Sequence, residues 1–259
     1  MKILKTLSDL DRELLSGLAY VPTMGALHAG HLSLVDKAKE LSERVIVSIF
    51  VNPLQFGPNE DFDKYPRTLD QDLTMLKEKK VDYVFCPEFS REDLEGIKKL
   101  KANPELSSIL CGKFRPNHFD GVVSIVNYFF ELIKPDYAIF GEKDFQQLKI
   151  IEDMSSSLNL KVKIIPAKTY REANGLAMSS RNQYLSESER EKASKLFLAL
   201  NKFKTEYLKA PERENQILKE IEKELSDADF TVEYLERHWN RILVAAKFHG
   251  VRLIDNLGI

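Results

Sequence analysis

The residues best equipped for chemistry lie in Pro22-Thr23-Met24-Gly25-Ala26-Leu27-His28-Ala29-Gly30-His31. An apolar run, Leu18-Ala19-Tyr20-Val21, precedes them and a helix-patterned run, Leu32 to Leu41, follows. The two histidines therefore fall where a strand passes into a helix, three apart and on one helical face. The first turn of a helix has unpaired N–H groups and the positive end of the dipole, a setting that holds phosphate. Gly25, Ala26, Ala29 and Gly30 are small enough to let an anion reach the backbone. Two imidazoles aimed at a phosphate chain suit the stabilisation of charge that develops when an α-phosphorus is attacked. The same spacing fits a metal pair, and a lone histidine at a helix start is often only a cap. A metal site needs three or four ligands, however, and the five histidines and two cysteines form no further ligand motif. The Gly-x-Gly-x-x-Gly and Gly-x-x-x-x-Gly-Lys-Ser/Thr loops are absent.

Other segments carry groups of matching chemistry. Asn52-Pro53-Leu54-Gln55-Phe56 offers two neutral amides beside a proline-fixed turn, suited either to hydroxyl and carboxylate recognition or to the turn's own backbone. Gly141-Glu142-Lys143-Asp144 follows a short apolar run and opens a helix, with Gln147 one turn on. A lysine there opposes the dipole, so an anion would offset the cost, while Asp144 suits a cap or a ribose hydroxyl. Met178-Ser179-Ser180-Arg181-Asn182 pairs two hydroxyls with a guanidinium, either a phosphate clamp or a serine-rich turn. Asp70, Gln71 and Asp72 open a helix after Tyr65-Pro66-Arg67-Thr68; they complement its dipole or, less readily, hold magnesium. His118, after Arg115-Pro116, could add an anion contact at the head of another helix.

The elements that must position these groups alternate. Val45 to Val51 reads as a strand buried on both faces. Val81–Phe85, Tyr137–Phe140 and Val162–Ile165 are further strands, with helical patterns at Leu69–Lys80, Val122–Ile133 and Phe145–Leu158. This order predicts an α/β fold, a Rossmann-like parallel sheet with helices on both faces, in which ligands bind beyond the carboxyl ends of the strands. Thr23–His31, Asn52–Gln55 and Gly141–Gln147 all follow strands, which points to one shared cleft. Beyond Pro166 the pattern changes to a capping box at Ser186–Glu189, a charged helix to about Lys209, a second helix from Pro211 to Asp227, a strand at 230–235 and a hairpin turning at His249-Gly250. The expected domains are 1–169 and a smaller C-terminal α+β lid domain, 170–259. A net charge of −2 on 259 residues gives no reason to expect nucleic-acid binding. No run reaches the ~18 apolar residues of a membrane span. Two cysteines and the absence of a signal-like start lead us to expect a reducing, cytoplasmic setting.

Taken in order, these segments resemble the pantoate–β-alanine ligases of the nucleotidylyltransferase superfamily. The resemblance rests on residues 22–31, on Ile49 to Gly57, on Tyr65-Pro66-Arg67-Thr68, on Phe140 to Leu148 and on Arg171 to Asn182. It implies that pantoate attacks the α-phosphorus of ATP, and that β-alanine then attacks the acyl adenylate. It implies an ATP site made of Met24, Gly25, Ala26, Leu27, His28, Ala29, Gly30 and His31, with Gly141, Glu142, Lys143, Asp144, Tyr170, Met178, Ser179, Ser180 and Arg181. His31, His28, Lys143 and Arg181 would be catalytic. Gln55 and Gln147 would grip pantoate, and Gln55 would also serve β-alanine. Mg²⁺ is expected, held mainly by the ATP phosphates: Asp72 is the candidate protein ligand, but Gln71 and Met75 stand where some relatives carry metal-associated residues. A homodimer is a further family expectation. The alternatives are an enzyme that adenylylates a phosphate ester and a catalytically silent nucleotide-binding module. The first would need more cationic residues in its acceptor pocket, and the second would tolerate loss of His31 or Lys143.

Overall fold

The computed structural model describes residues 1–10, 17–58, 60 and 62–259. Their contacts divide the chain into two compact units, Met1–Glu142 with Gln146–Lys168, and Lys143–Phe145 with Thr169–Ile259.

The first unit runs β1 (Lys2–Leu4), β2 (Leu18–Thr23), α1 (Ala29–Leu41), β3 (Arg44–Ile49), α2 (Leu69–Glu78), β4 (Tyr83–Phe85), α3 (Arg91–Gly96), α4 (Pro104–Ser107), α5 (Cys111–Phe114), α6 (His118–Ile133), β5 (Tyr137–Gly141), α7 (Phe145–Ser157) and β6 (Lys163–Ala167). Among the described residues its strands form one sheet in the order β1-β4-β3-β2-β5-β6. Every pairing is parallel. Val45, Ile46 and Val47 are fully buried, as their branched, unbroken run requires. The chain steps from β2 to β3 and β4, then returns to the other side of β2 as β5. Right-handed crossovers in opposite directions place their helices on opposite faces. The expected α/β class therefore holds. The strand order reverses between β2 and β5, the position at which such sheets open a crevice. β2 pairs with β3 from Leu18 to Thr23 but with β5 only at Ala19 and Tyr20. Pro22, which has no N–H to give, lies beyond that last pair. Strand β1 and the short helices α3 to α5 have no clear periodicity, and the sequence pattern does not mark them.

The second unit carries α8 (Glu187–Ala193), α9 (Lys195–Lys209), α10 (Glu214–Asp227), β7 (Phe230–His238), β8 (Arg241–Phe248) and β9 (Val251–Gly258). The three strands form an antiparallel meander. Both of its turns have two successive positive φ values, at Trp239-Asn240 and His249-Gly250, which match the twist of a hairpin. Leu196, Leu200 and Phe203 of α9 and Ile217, Ile221 and Leu225 of α10 pack against Ile242, Val244, Ala246 and Phe248. The single helix expected up to Lys209 is broken at Ser194. That residue is buried and its Oγ donates back to Glu191 O at 2.6 Å, a contact that bends helices. The strand expected at 230–235 continues to His238 because cross-strand pairing extends to His238–Arg241.

Candidate active site

The signature turn grows out of the carboxyl end of β2. Thr23 Oγ1 donates to Ser48 O at 2.6 Å and accepts from Gly25 N at 3.2 Å, which starts the turn. Gly25 and Ala26 both take left-handed backbone, φ 81° and 50°. Asp72 of α2 closes the turn: Ala26 N donates to its Oδ2 at 3.0 Å and Leu27 N to its Oδ1 at 2.8 Å. His28 then returns to extended backbone as the N-cap of α1. Its Nδ1 accepts from Gly30 N at 3.1 Å, so in the neutral ring the proton sits on Nε2. His31 N donates to His28 O at 2.8 Å, and the two imidazole centroids lie 4.0 Å apart. The pair therefore stands side by side at the positive end of a thirteen-residue helix, beside the β2/β5 switch point.

The turn after β3 brings Gln55 to this group. Asn52 caps it, accepting from Leu54 N, and donates to Gln55 Oε1 at 3.0 Å and to Gly121 O at 3.1 Å. Gln55 Nε2 reaches Met24 Sδ at 3.2 Å. His118 Nδ1 lies 2.8 Å from Gln55 O and its Nε2 lies 3.1 Å from Arg115, which grips Glu60 through Nε at 2.7 Å and Nη2 at 2.5 Å. With Arg115 donating, the His118 proton is on Nδ1 and is given to Gln55 O. His118, read as a possible anion contact, here supports the Gln55 turn together with Arg115. At the end of β5, Gly141 has no left-handed φ, and a Cβ there would meet only Leu34 Cδ2 at an ordinary 3.9 Å. Neighbouring glutamines separate in role. Gln146 is buried and pins the α4–α5 segment through Leu106 O, Ile109 O and Cys111 N. Gln147 is partly buried in the first turn of α7.

The second unit presents the cationic candidates. Lys143 lies in the 3-10 turn Glu142–Asp144 and its Nζ is 3.3 Å from Asp144 Oδ2. Asn256, near the end of β9, donates to Lys143 O at 2.9 Å and accepts from Arg241 Nε at 2.6 Å. Arg241 in turn lies 4.4 Å over the Phe145 ring. Sequence reading missed Asn256, which in β9 stands beside Asp255 and near Arg252 and carries no distinguishing signal. Tyr170 O accepts from Met178 N at 3.0 Å, so these two are held together across a narrow loop; the Tyr170 side chain is 46% exposed. Ser179 caps the next turn by accepting from Arg181 N, which sets Ser180 and Arg181 in one short 3-10 segment. Arg171 anchors this loop, bound to both Asp255 oxygens at 2.6 and 2.9 Å and stacked 3.9 Å from the Phe197 ring.

Asp72, the candidate magnesium ligand, is engaged within the protein. The side chain has no exposure, and its oxygens receive Ala26 N, Leu27 N and Thr68 Oγ1. No three His, Cys, Asp or Glu side chains among the described residues converge to hold a metal. Buried and filled by these three donors, Asp72 does not fit a ligand of Mg²⁺.

The family model for pantoate-beta-alanine ligase matches residues 2–258. The pantothenate synthetase of Caldicellulosiruptor bescii is 44% identical over 254 residues, covering 93% of this chain and 90% of that one. That of Carboxydothermus hydrogenoformans is 52% identical over 205 residues, 79% of this chain and 72% of that one. The crystal structure of pantothenate synthetase from Thermus thermophilus matches with a TM-score of 0.90 at 38% identity over 99% of both chains. The Francisella tularensis pantoate-beta-alanine ligase, complexed with beta-gamma ATP and beta-alanine, matches with a TM-score of 0.85 at 35% identity, covering 99% of this chain and 97% of that one. Matched almost end to end in sequence and in fold, the chain belongs to the pantoate–β-alanine ligase family.

Proposed function

We propose that this chain condenses pantoate with β-alanine at the expense of ATP through an acyl adenylate. A pantoate carboxylate oxygen attacks the α-phosphorus, the bond to the β-phosphate oxygen breaks, and pyrophosphate leaves. The β-alanine nitrogen then attacks the acyl carbon; the bond to AMP breaks, AMP leaves with the electron pair, and the amine gives up a proton. The observation that carries this reading is the paired imidazoles of His28 and His31 at the head of α1, in a chain of this family. Their N–H groups can meet phosphate oxygens as charge builds, and the helix end adds its positive potential. Lys143, Ser179, Ser180 and Arg181 serve the remaining phosphates. Gly141, Glu142, Asp144, Tyr170 and Met178 serve the nucleoside side. Gln55 and Gln147 hold the hydroxyls and carboxylate of pantoate, and Gln55 also meets β-alanine. No side chain needs to form a covalent bond, so catalysis is positioning and charge stabilisation. Mg²⁺ enters on the nucleotide's own phosphates. The family likeness supports a homodimer. The buried cysteines Cys86 and Cys111 and the absence, among the described residues, of any helix long and apolar enough to cross a membrane fit a cytoplasmic setting.

Isotope transfer tests the adenylate. With both carboxylate oxygens of pantoate labelled with ¹⁸O, one label is expected in AMP and one in the product amide. AMP without label would show that the acid never attacked phosphorus.

A further inference from the structure

We propose that Asp72 is a positioning residue for adenylate formation: its buried carboxylate holds the turn that sets His28 and His31 at the head of α1. The proposal rests on the reading of those histidines given above. Gly25 and Ala26 both have positive φ, and for alanine that conformation persists only where its surroundings enforce it. Such a turn directs successive N–H groups to one side and forms a concave seat for an anion. Here the seat is filled from within the protein. Oδ2 takes Ala26 N at 3.0 Å, Oδ1 takes Leu27 N at 2.8 Å, and Thr68 Oγ1 adds a third donor at 3.1 Å. The carboxylate has no exposure to water, so these donors take the place of its hydration. A Cβ on Gly25 would stand 3.0 Å from Asp72 Oδ2 and 3.0 Å from Ile49 Cγ2, so the turn closes tightly on the carboxylate. His28 follows Leu27 directly and fixes its own ring through Gly30 N, and His31 N hangs on His28 O. A shift of the turn therefore moves both imidazoles together. The cluster that a metal-binding reading would use is, in this chain, the mount of the signature turn.

The test uses the full-length enzyme with Asp72→Asn and Thr68→Val. Asparagine keeps one acceptor oxygen but points an NH₂ at an N–H; valine removes only the hydroxyl donor. In Asp72→Asn, the hydrogen-exchange protection of the Ala26 and Leu27 amides is expected to fall at least tenfold. Single-turnover adenylate formation should slow about ten- to hundredfold, as when an outer partner of a reacting group is lost. The KM values for ATP and pantoate should change much less, and the Mg²⁺ midpoint should stay at the wild-type value. Thr68→Val should slow the same step about threefold. A folded Asp72→Asn with wild-type adenylation overturns the proposal. So does a loss that is restored by raising Mg²⁺, because that is the behaviour of a metal ligand. If Asp72→Asn does not fold, Thr68→Val decides, and unchanged protection and rate overturn the proposal. A wild type that forms no adenylate would sink the functional reading instead, while amide exchange still reports on the clamp.

Discussion

The His31 ring lies 4.0 Å from that of His28, while the cap of α1 is made by the His28 side chain and Gly30 N, so truncating His31 leaves that cap in place. His31→Ala should fold as the wild type does and form adenylate about 10²–10³-fold more slowly in a single turnover. Near-wild-type adenylation would remove His31 from the mechanism. Gln146 and Gln147 show what single residues conceal in a sequence, since nothing in the chain distinguishes one from the other. Gln146→Leu would leave the buried Cys111 N–H and the half-buried carbonyls of Leu106 and Ile109 without this partner, at roughly 1–3 kcal/mol for the buried group, and should lower the melting temperature. Gln147→Leu should instead keep the melting temperature. Its readout is the kcat/KM ratio for pantoate over 2-deoxy-pantoate, which should shrink as a hydroxyl partner disappears. An unchanged ratio would turn attention to Gln55.

At the scale of elements, the Gln55 turn depends on how closely α6 approaches it. A Cβ on Gly121 would fall 2.0 Å from Leu54 O and 2.7 Å from Gln55 N, so only glycine allows this crossing. Gly121→Ala should displace the turn, lower the melting temperature and raise the KM for pantoate more than that for ATP. Equal effects on both substrates would mean that the turn does not serve the acid. The same turn is braced from Glu60 through Arg115 and His118. Burial would raise the Glu60 carboxyl, but the hydrogen-bonded Arg115 guanidinium outweighs it and holds the group below its usual range. A lowered carboxylate contributes stability above its unfolded value of about 4.3 and loses it as pH falls further. Glu60→Gln should therefore flatten the wild-type decline in melting temperature below that pH, while an identical decline would show that the pair contributes nothing. The strands other than β1 and the long helices were legible because their apolar periodicity is local. The brace was not, because Arg115 and Glu60 are 55 residues apart and each looks like an ordinary surface charge. The break at Ser194 escaped for a related reason: a serine that bonds back to its own helix looks the same in sequence as one that does not.

At the scale of the molecule, the proposed residues fall in two units with separate cores: the imidazole pair, Gln55 and Gln147 in one, Lys143 and Arg181 in the other. Strand ends, glycines and lone cations are what mark the candidate residues in the sequence. The sequence does not mark what holds them in place. Asn256 supports the Lys143 carbonyl from 113 residues away, and Asp72 supports the signature turn from 45 and 46 residues away. Supports of this kind are defined by tertiary packing and leave no local pattern. The central claim is that the acid is activated on phosphorus before the amine takes part. Exchange of labelled pyrophosphate into ATP measures that step alone. With pantoate present and β-alanine absent, the enzyme should catalyse exchange, and omission of pantoate should abolish it. Exchange that requires β-alanine, or that proceeds without pantoate, would contradict the account.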